Sequence, residues 1–214
     1  MMNWFSELLQ SSIGKKLLMA ITGLAFCLFL LFHLLGNLTV YGGKDLFLSY
    51  VEHLHALGPL IRVAEIGLLF FAGVHVFTGL LLFWQNLRAR PVRYQVNKTA
   101  GGRTLGSATM PYTGVLIIVF VVVHLLNFHF IDHTQQTVFQ AMEATFAMLP
   151  YVVFYALAVI VVAVHVSHGF WSLFQTMGAH HVKYMPAIKG LGVIFSLLIA
   201  AGFGFIPVYV SFFM

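Results

Sequence analysis

Charge is what this sequence has least of. Only 8% of its 214 residues are Asp, Glu, Lys or Arg, against about 25% in an ordinary soluble domain. So little charge excludes a small water-soluble enzyme, and no stretch is left over to form a separate soluble catalytic domain. Acids are scarcest, six in all, and Glu65 alone falls inside a long apolar run. A proton or ion path would usually recruit several intramembrane carboxylates, so this scarcity argues against one. Cysteine is nearly absent as well. A lone Cys27 makes neither an internal disulfide nor an iron–sulfur cluster, and it is expected simply to pack.

Hydrocarbon is what the chain has instead. It is 60% hydrophobic, with a mean hydropathy of +0.94. Five runs can cross about 30 Å of bilayer core at 1.5 Å per residue: roughly 17–40, 60–86, 112–131, 149–176 and 187–213. The expectation is an all-α integral membrane protein, a five-transmembrane-helix bundle forming one membrane-anchor domain over residues 1–214. The first run follows Lys15-Lys16 and has no small-residue cleavage site, so it reads as a retained helix. Ahead of it, residues 2–14 (Met2 to Gly14) carry Trp4, Phe5, Leu8, Leu9 and Ile13 at roughly helical spacing. That segment either lies among lipid headgroups with Trp4 as anchor or is a plain amphipathic lead-in. Gly42-Gly43 ends the first helix, and a loop with His53, His55 and Gly58-Pro59 follows. Pro111 and Pro150 suit first-turn positions of the third and fourth helices, and Pro186 precedes the fifth.

The basic residues are unevenly spread. Lys15 and Lys16 precede the first run. Arg88, Arg90, Arg93, Lys98 and Arg103 lie between the second and third, where Pro91 and Gly101-Gly102 suggest a break between halves. Lys183 and Lys189 flank the start of the fifth. These are nine of the eleven cations, leaving Lys44 and Arg62. The positive-inside rule then puts the N-terminus in the cytoplasm and, after five crossings, the C-terminus outside. The net charge of +5 therefore orients the chain and needs no nucleic acid, though a basic inner face could also dock an acidic partner.

Inside the apolar runs stand four histidines that echo one another. Thr22-Gly23 lies ten residues before His33, counted from Gly23, and Thr113-Gly114 stands likewise before His124. His75 is followed four residues on by Gly79, and His165 by Gly169. The echoes are separated by 124 − 33 = 91 and 165 − 75 = 90 residues. The pattern is a two-helix repeat, runs 1–2 and runs 3–4, parallel because both halves begin on the same side. Equivalent histidines then share a depth: His33 with His124 in the outer half, His75 with His165 in the inner half.

An ionisable residue in hydrocarbon is costly and defaults to function. One membrane histidine is often a strut between helices, but four at duplicated, depth-matched positions point to two metal centres. Two ligands per level fall short of zinc's usual three or four. They suit haem iron, which takes two axial ligands and needs small residues beside its flat ring. Gly79 and Gly169 lie one turn from their histidines. Gly23 and Gly114 fall on a neighbouring face, relieving crowding against a porphyrin or between helices; the spacing does not separate these. His168, one turn from His165, is the competing ligand. His129 and His133, and His180-His181, lie towards the ends of runs.

These residues resemble the dihaem cytochrome b membrane anchor of succinate dehydrogenases and quinol:fumarate reductases. The resemblance runs through Gly14-Lys15-Lys16, Thr22-Gly23, His33-Leu34-Leu35-Gly36-Asn37, Leu54-His55-Ala56-Leu57-Gly58-Pro59, Glu65, His75 to Gly79, His124, and His165 to Gln175-Thr176. It implies two haem b groups, the inner on His75 and His165 and the outer on His33 and His124, with Gly23, Gly79, Gly114 and Gly169 lining them. It further implies a bacterial inner membrane, an iron–sulfur subunit and a flavoprotein subunit on the cytoplasmic face, and menaquinone or another quinone as electron partner. A dimer of complexes is compatible with this. His55 and Glu65 become candidates for the quinone site, Glu65 as proton acceptor and donor; Glu65 could equally pair with Arg62 one turn away. Members that move compensating protons across the membrane carry a Glu two residues before the fourth haem histidine, where this chain has Ala163. The rivals are the cytochrome b subunit of a formate dehydrogenase or hydrogenase, and a parallel-repeat secondary transporter.

Overall fold

The apolar runs become long helices linked by short ones. In the computed structural model, which describes residues 3–89 and 104–214 less the side chains of Phe5 and Leu9, these are α1 (Asn3–Gln10), α2 (Ser12–Asn37), α3 (Lys44–His55), α4 (Pro59–Arg88), α5 (Leu105–Phe128), α6 (Val138–Phe146), α7 (Leu149–Thr176) and α8 (Met185–Phe213). No strand occurs among the described residues. α2, extended by a 3-10 turn to Gly42, and α4, α5, α7 and α8 are each long and apolar enough to cross a membrane. The chain is an all-α multi-pass membrane protein. Met2, Arg90, Pro91, Arg93, Lys98, Gly101, Gly102 and Arg103 lie outside the described residues.

Local chemistry sets the helix starts. The Ser11 hydroxyl accepts from the Gly14 N–H at 3.0 Å and so divides α1 from α2. Thr104 and Ser107 form a reciprocal capping box that starts α5 at Leu105, satisfying N–H groups that have no helical partner. Pro111 therefore lies inside α5 and does not open it. A membrane helix tolerates an internal proline where neighbouring groups re-satisfy the freed carbonyl. Pro150 and Pro186 do occupy the first turns of α7 and α8.

The expected loop with His53 and His55 is instead mostly the helix α3, and both residues stand in its last turn. The third-to-fourth connector likewise contains α6, begun by a capping box between Thr137 and Gln140. These two short helices close one end of the bundle, here the cap end. Phe47 of α3 and Phe139, Met142 and Phe146 of α6 share a buried cluster with Val40, Val152, Tyr155, Ile206 and Val210. Lys15, Arg88, Lys183 and Lys189 stand at the opposite, basic end.

Side-by-side packing follows the two halves. α2 packs on α4 and α5 on α7; α2 also packs on α7, and α8 lies along α7. The α2–α7–α8 seam is filled by Leu34, Val162, Val166 and Ile199, with Cys27 half-buried beside it. α4 and α5 meet much more sparingly than α2 and α7. Gly202 of α8 lets Leu34 approach so closely that a Cβ there would stand 2.6 Å from a Leu34 methyl.

Candidate metal centres

Four helices each aim one histidine into the bundle, and the rings meet in two pairs. His33 of α2 faces His124 of α5 with ring centres 5.9 Å apart and planes at 88°. His75 of α4 faces His165 of α7 at 6.4 Å and 60°. These are the pairs expected from depth alone. In both, the partners sit on diagonally opposed helices. All four residues are half-buried in the protein.

Placement of the threonine–glycine pairs gives the separation of the levels. A Cβ on Gly23 would lie 3.7 Å from His75 Cε1, and one on Gly114 would lie 3.7 Å from His165 Cε1. Each glycine therefore faces the basic-end histidine of the neighbouring helix, not the histidine on its own. Ten residues at 1.5 Å each then put the two levels about 15 Å apart along α2, and about 15 Å along α5. Gly79 faces Met19, whose Cε would be 3.6 Å from an added Cβ, while nothing lies within 4 Å of one at Gly169.

The two levels hold their rings differently. At the basic end, His75 Nδ1 is 2.9 Å from Thr22 Oγ1, and His165 Nδ1 is 3.0 Å from Thr113 Oγ1. Phe26 adds an edge contact to His75 at 5.6 Å. At the cap end the surroundings are aromatic. Phe29 stacks on His33 at 5.1 Å, Phe203 lies against it at 5.4 Å, and Phe120 and Phe128 flank His124 at 5.7 and 5.2 Å. Asn37 Nδ2 reaches His33 Nδ1 only at 3.4 Å and donates instead to the His33 carbonyl at 2.8 Å. His124 Nδ1 is buried with no hydrogen-bond partner. Tyr155, buried beside His124, accepts a hydrogen bond from Asn127 at 3.0 Å.

A metal bonded to one nitrogen of each ring tests this arrangement. With about 2 Å from metal to nitrogen and about 1 Å from nitrogen to ring centre, two imidazoles on opposite sides of one metal have centres about 6 Å apart. Both pairs stand at that spacing. Among the described residues no group of three or more His, Cys, Asp or Glu gathers, so each level offers two nitrogens and no carboxylate or thiolate. Two imidazoles and no other donor, in an apolar bundle, would suit a haem iron. The residues fit that group at both levels.

No protein-family model matches this chain, nor does any curated protein or solved structure. Residues and geometry alone carry the functional reading.

The other expected site residues scatter. His168 does not join the basic-end pair: its Nδ1 lies 3.3 Å from Thr104 Oγ1, and its ring abuts Trp171 at 4.8 Å. Glu65 Oε2 accepts from Arg62 Nη1 at 3.0 Å, with the two side chains 38% and 76% exposed. His55 is exposed at the end of α3 and makes no hydrogen bond or ring contact to Glu65 among the described residues. Near the cap-end pair, a cavity of about 290 Å³ lined by Val123, Pro150, Tyr151 and Phe154 opens on the flank of α5 and α7. Thr22 and Thr113 are the residues whose role the sequence left unread. Their own echo, 113 − 22 = 91, matches that of His33 and His124 and was the available signal.

Proposed function

We propose that this chain is a membrane-embedded dihaem cytochrome b subunit. In this reading it carries electrons between a quinone, menaquinone or a similar one, and a cytoplasmic iron–sulfur and flavoprotein pair that interconverts fumarate and succinate. The observation that carries the proposal is the pairing of four membrane histidines at ring separations of 5.9 and 6.4 Å. When bound, the two haem groups would supply one-electron chemistry at two levels. His75 and His165 would hold the group at the basic end, taken as cytoplasmic by the positive-inside rule. His33 and His124 would hold the one at the cap end. The chain's own work is to orient these rings and keep water from them. The aromatic sleeve of Phe29, Phe120, Phe128 and Phe203 does both at the cap end.

Quinone exchange requires a proton-carrying group within reach of lipid. Glu65 is the acid within α4, and its carboxylate is held by Arg62 on the accessible flank of the helix. It takes the part of proton acceptor from quinol, and His55 is the second candidate at that end. An exposed pair of this kind contributes about 0–1 kcal/mol to stability, so a functional role for Glu65 is open without structural cost.

A reduced-minus-oxidised spectrum with haem extraction on the purified protein tests the proposal. Two b haems per chain, copurifying with an iron–sulfur subunit and a flavoprotein, are expected. Fewer than two haems rejects the dihaem assignment. Copurification with a formate dehydrogenase or hydrogenase large subunit reassigns the partner, and a colourless protein favours a transporter.

A further inference from the structure

The threonine contacts at the basic end determine more than the position of a ring. Thr22 Oγ1 lies 2.7 Å from the Leu18 carbonyl and 3.3 Å from that of Met19. Thr113 Oγ1 lies 3.1 Å from each of the carbonyls of Thr109 and Met110. A carbonyl only accepts, so each hydroxyl proton is committed to its own helix. The remaining lone pair on Oγ1 then faces His Nδ1 at 2.9 or 3.0 Å. Two oxygen or nitrogen lone pairs do not approach so closely in an apolar interior. The ring nitrogen must therefore carry the proton and donate it to the threonine.

We infer that Thr22 and Thr113 are positioning residues that hold His75 and His165 as Nδ1–H tautomers, leaving each Nε2 bare as a ligand nitrogen. A neutral imidazole has one protonated and one free nitrogen, and the bond made by the first decides which is free for metal. Each threonine acts across the helix pair of its own half: α2 on α4, α5 on α7. The adjoining Gly23 and Gly114 leave no side chain between the helix backbone and the tethered ring. Among the described residues no such device holds the cap-end rings. His124 Nδ1 has no hydrogen-bond partner, and His33 Nδ1 faces the Asn37 amide, an N–H donor, at 3.4 Å. Ligation of metal at Nε2 rests on the haem reading above; the tautomer does not, because it follows from the chain alone.

The test uses the full-length protein in detergent with its haem as isolated, comparing Thr22→Val and Thr113→Val with Thr22→Ser and Thr113→Ser. Loss of such outer hydrogen-bond partners lowers metal affinity about 10- to 100-fold. Each valine variant should speed haem transfer to a scavenging protein about 10-fold or more at one level, and should shift one of the two low-spin ferric resonance signals. Serine keeps the acceptor and should restore both. Wild-type signals and loss rates in the valine variants, or serine behaving as valine does, would overturn the inference. Nitrogen NMR of histidine-labelled wild-type protein freed of haem gives a readout that needs no variant. His75 and His165 should show Nδ1 protonated and Nε2 bare; the reverse sinks the proposal. A wild-type protein that purifies without haem would reject the cytochrome reading, while the nitrogen spectrum would still decide the tautomer.

Discussion

The basic-end and cap-end histidine pairs are made of the same residue on alternate helices of one bundle, yet they are held by opposite means. His75 and His165 are tied by one directional hydrogen bond each. His33 and His124 are wedged among aromatic rings, and one of their ring nitrogens is buried without a partner. The cap-end surroundings correspond position by position on α2 and α5. Phe29 and Phe120 are echoes (120 − 29 = 91), and both pack on the histidine one turn later. Asn37 and Phe128 occupy equivalent places one turn past His33 and His124 (128 − 37 = 91). There the halves diverge, to an amide in one and a phenyl in the other. The levels differ because threonine stands beside each basic-end ring and phenylalanine beside each cap-end ring; Asn37 and Phe128 distinguish the two partners within the cap end.

Removing a proposed haem ligand should break the comparison most completely. His165→Ala should abolish the basic-end haem and leave the other, halving the haem counted per chain, whereas His168→Ala should leave both. Loss on the second change alone would reverse the ligand assignment. Next come substitutions that disturb only the cap end. The Tyr50 ring of α3 lies where a Cβ on Gly36 would stand, so Gly36→Ala overfills that contact and should cost about 1–3 kcal/mol. Thermal unfolding in detergent reads this, and a wild-type midpoint would show that Tyr50 simply turns away. The cap-end resonance signal should broaden while the basic-end one stays.

Asn37→Leu should do less. It removes an amide that reaches the His33 ring only at 3.4 Å and forfeits the bond to the His33 carbonyl, about 0.5–1.5 kcal/mol. A haem-loss rate altered as strongly as by Thr22→Val would erase the distinction between the levels. Glu65→Gln should have the smallest effect on the fold, within about 1 kcal/mol for an exposed pair. Both haem spectra should survive it while quinol oxidation is suppressed. Unaltered turnover would leave Glu65 as an ion-pair partner of Arg62 and nothing more.

Much of this was legible from the chain. Five apolar runs give the spans because length and lack of charge suffice, and counting from each histidine to the ends of its run gives the depth pairing. The helix starts were less legible, since they depend on hydroxyl geometry. Thr104 with Ser107 moves the start of α5 six residues ahead of Pro111, and proline by itself pointed to the wrong turn. The turn residues Gly42-Gly43 and Gly58-Pro59 point to a loop where α3 lies; the helicity of α3 and α6 is secured by the buried faces of Phe47 and Phe139 against α8 and the 3-10 turn. Spacing along the chain sets Gly23 and Gly114 against the histidines on their own helices. Their partners lie on α4 and α7, and no spacing along one strand of sequence reveals a neighbour across a bundle.

The uneven sides of the bundle bear on where it would open first. α8 lies along α7, and α7 is also seamed to α2. Once that seam has closed, the α4–α5 edge is where the least packing has to be undone for the helices to part. A flat, rigid guest of the proposed kind would meet the least resistance there. The same edge would then be the first to reopen when the guest is withdrawn.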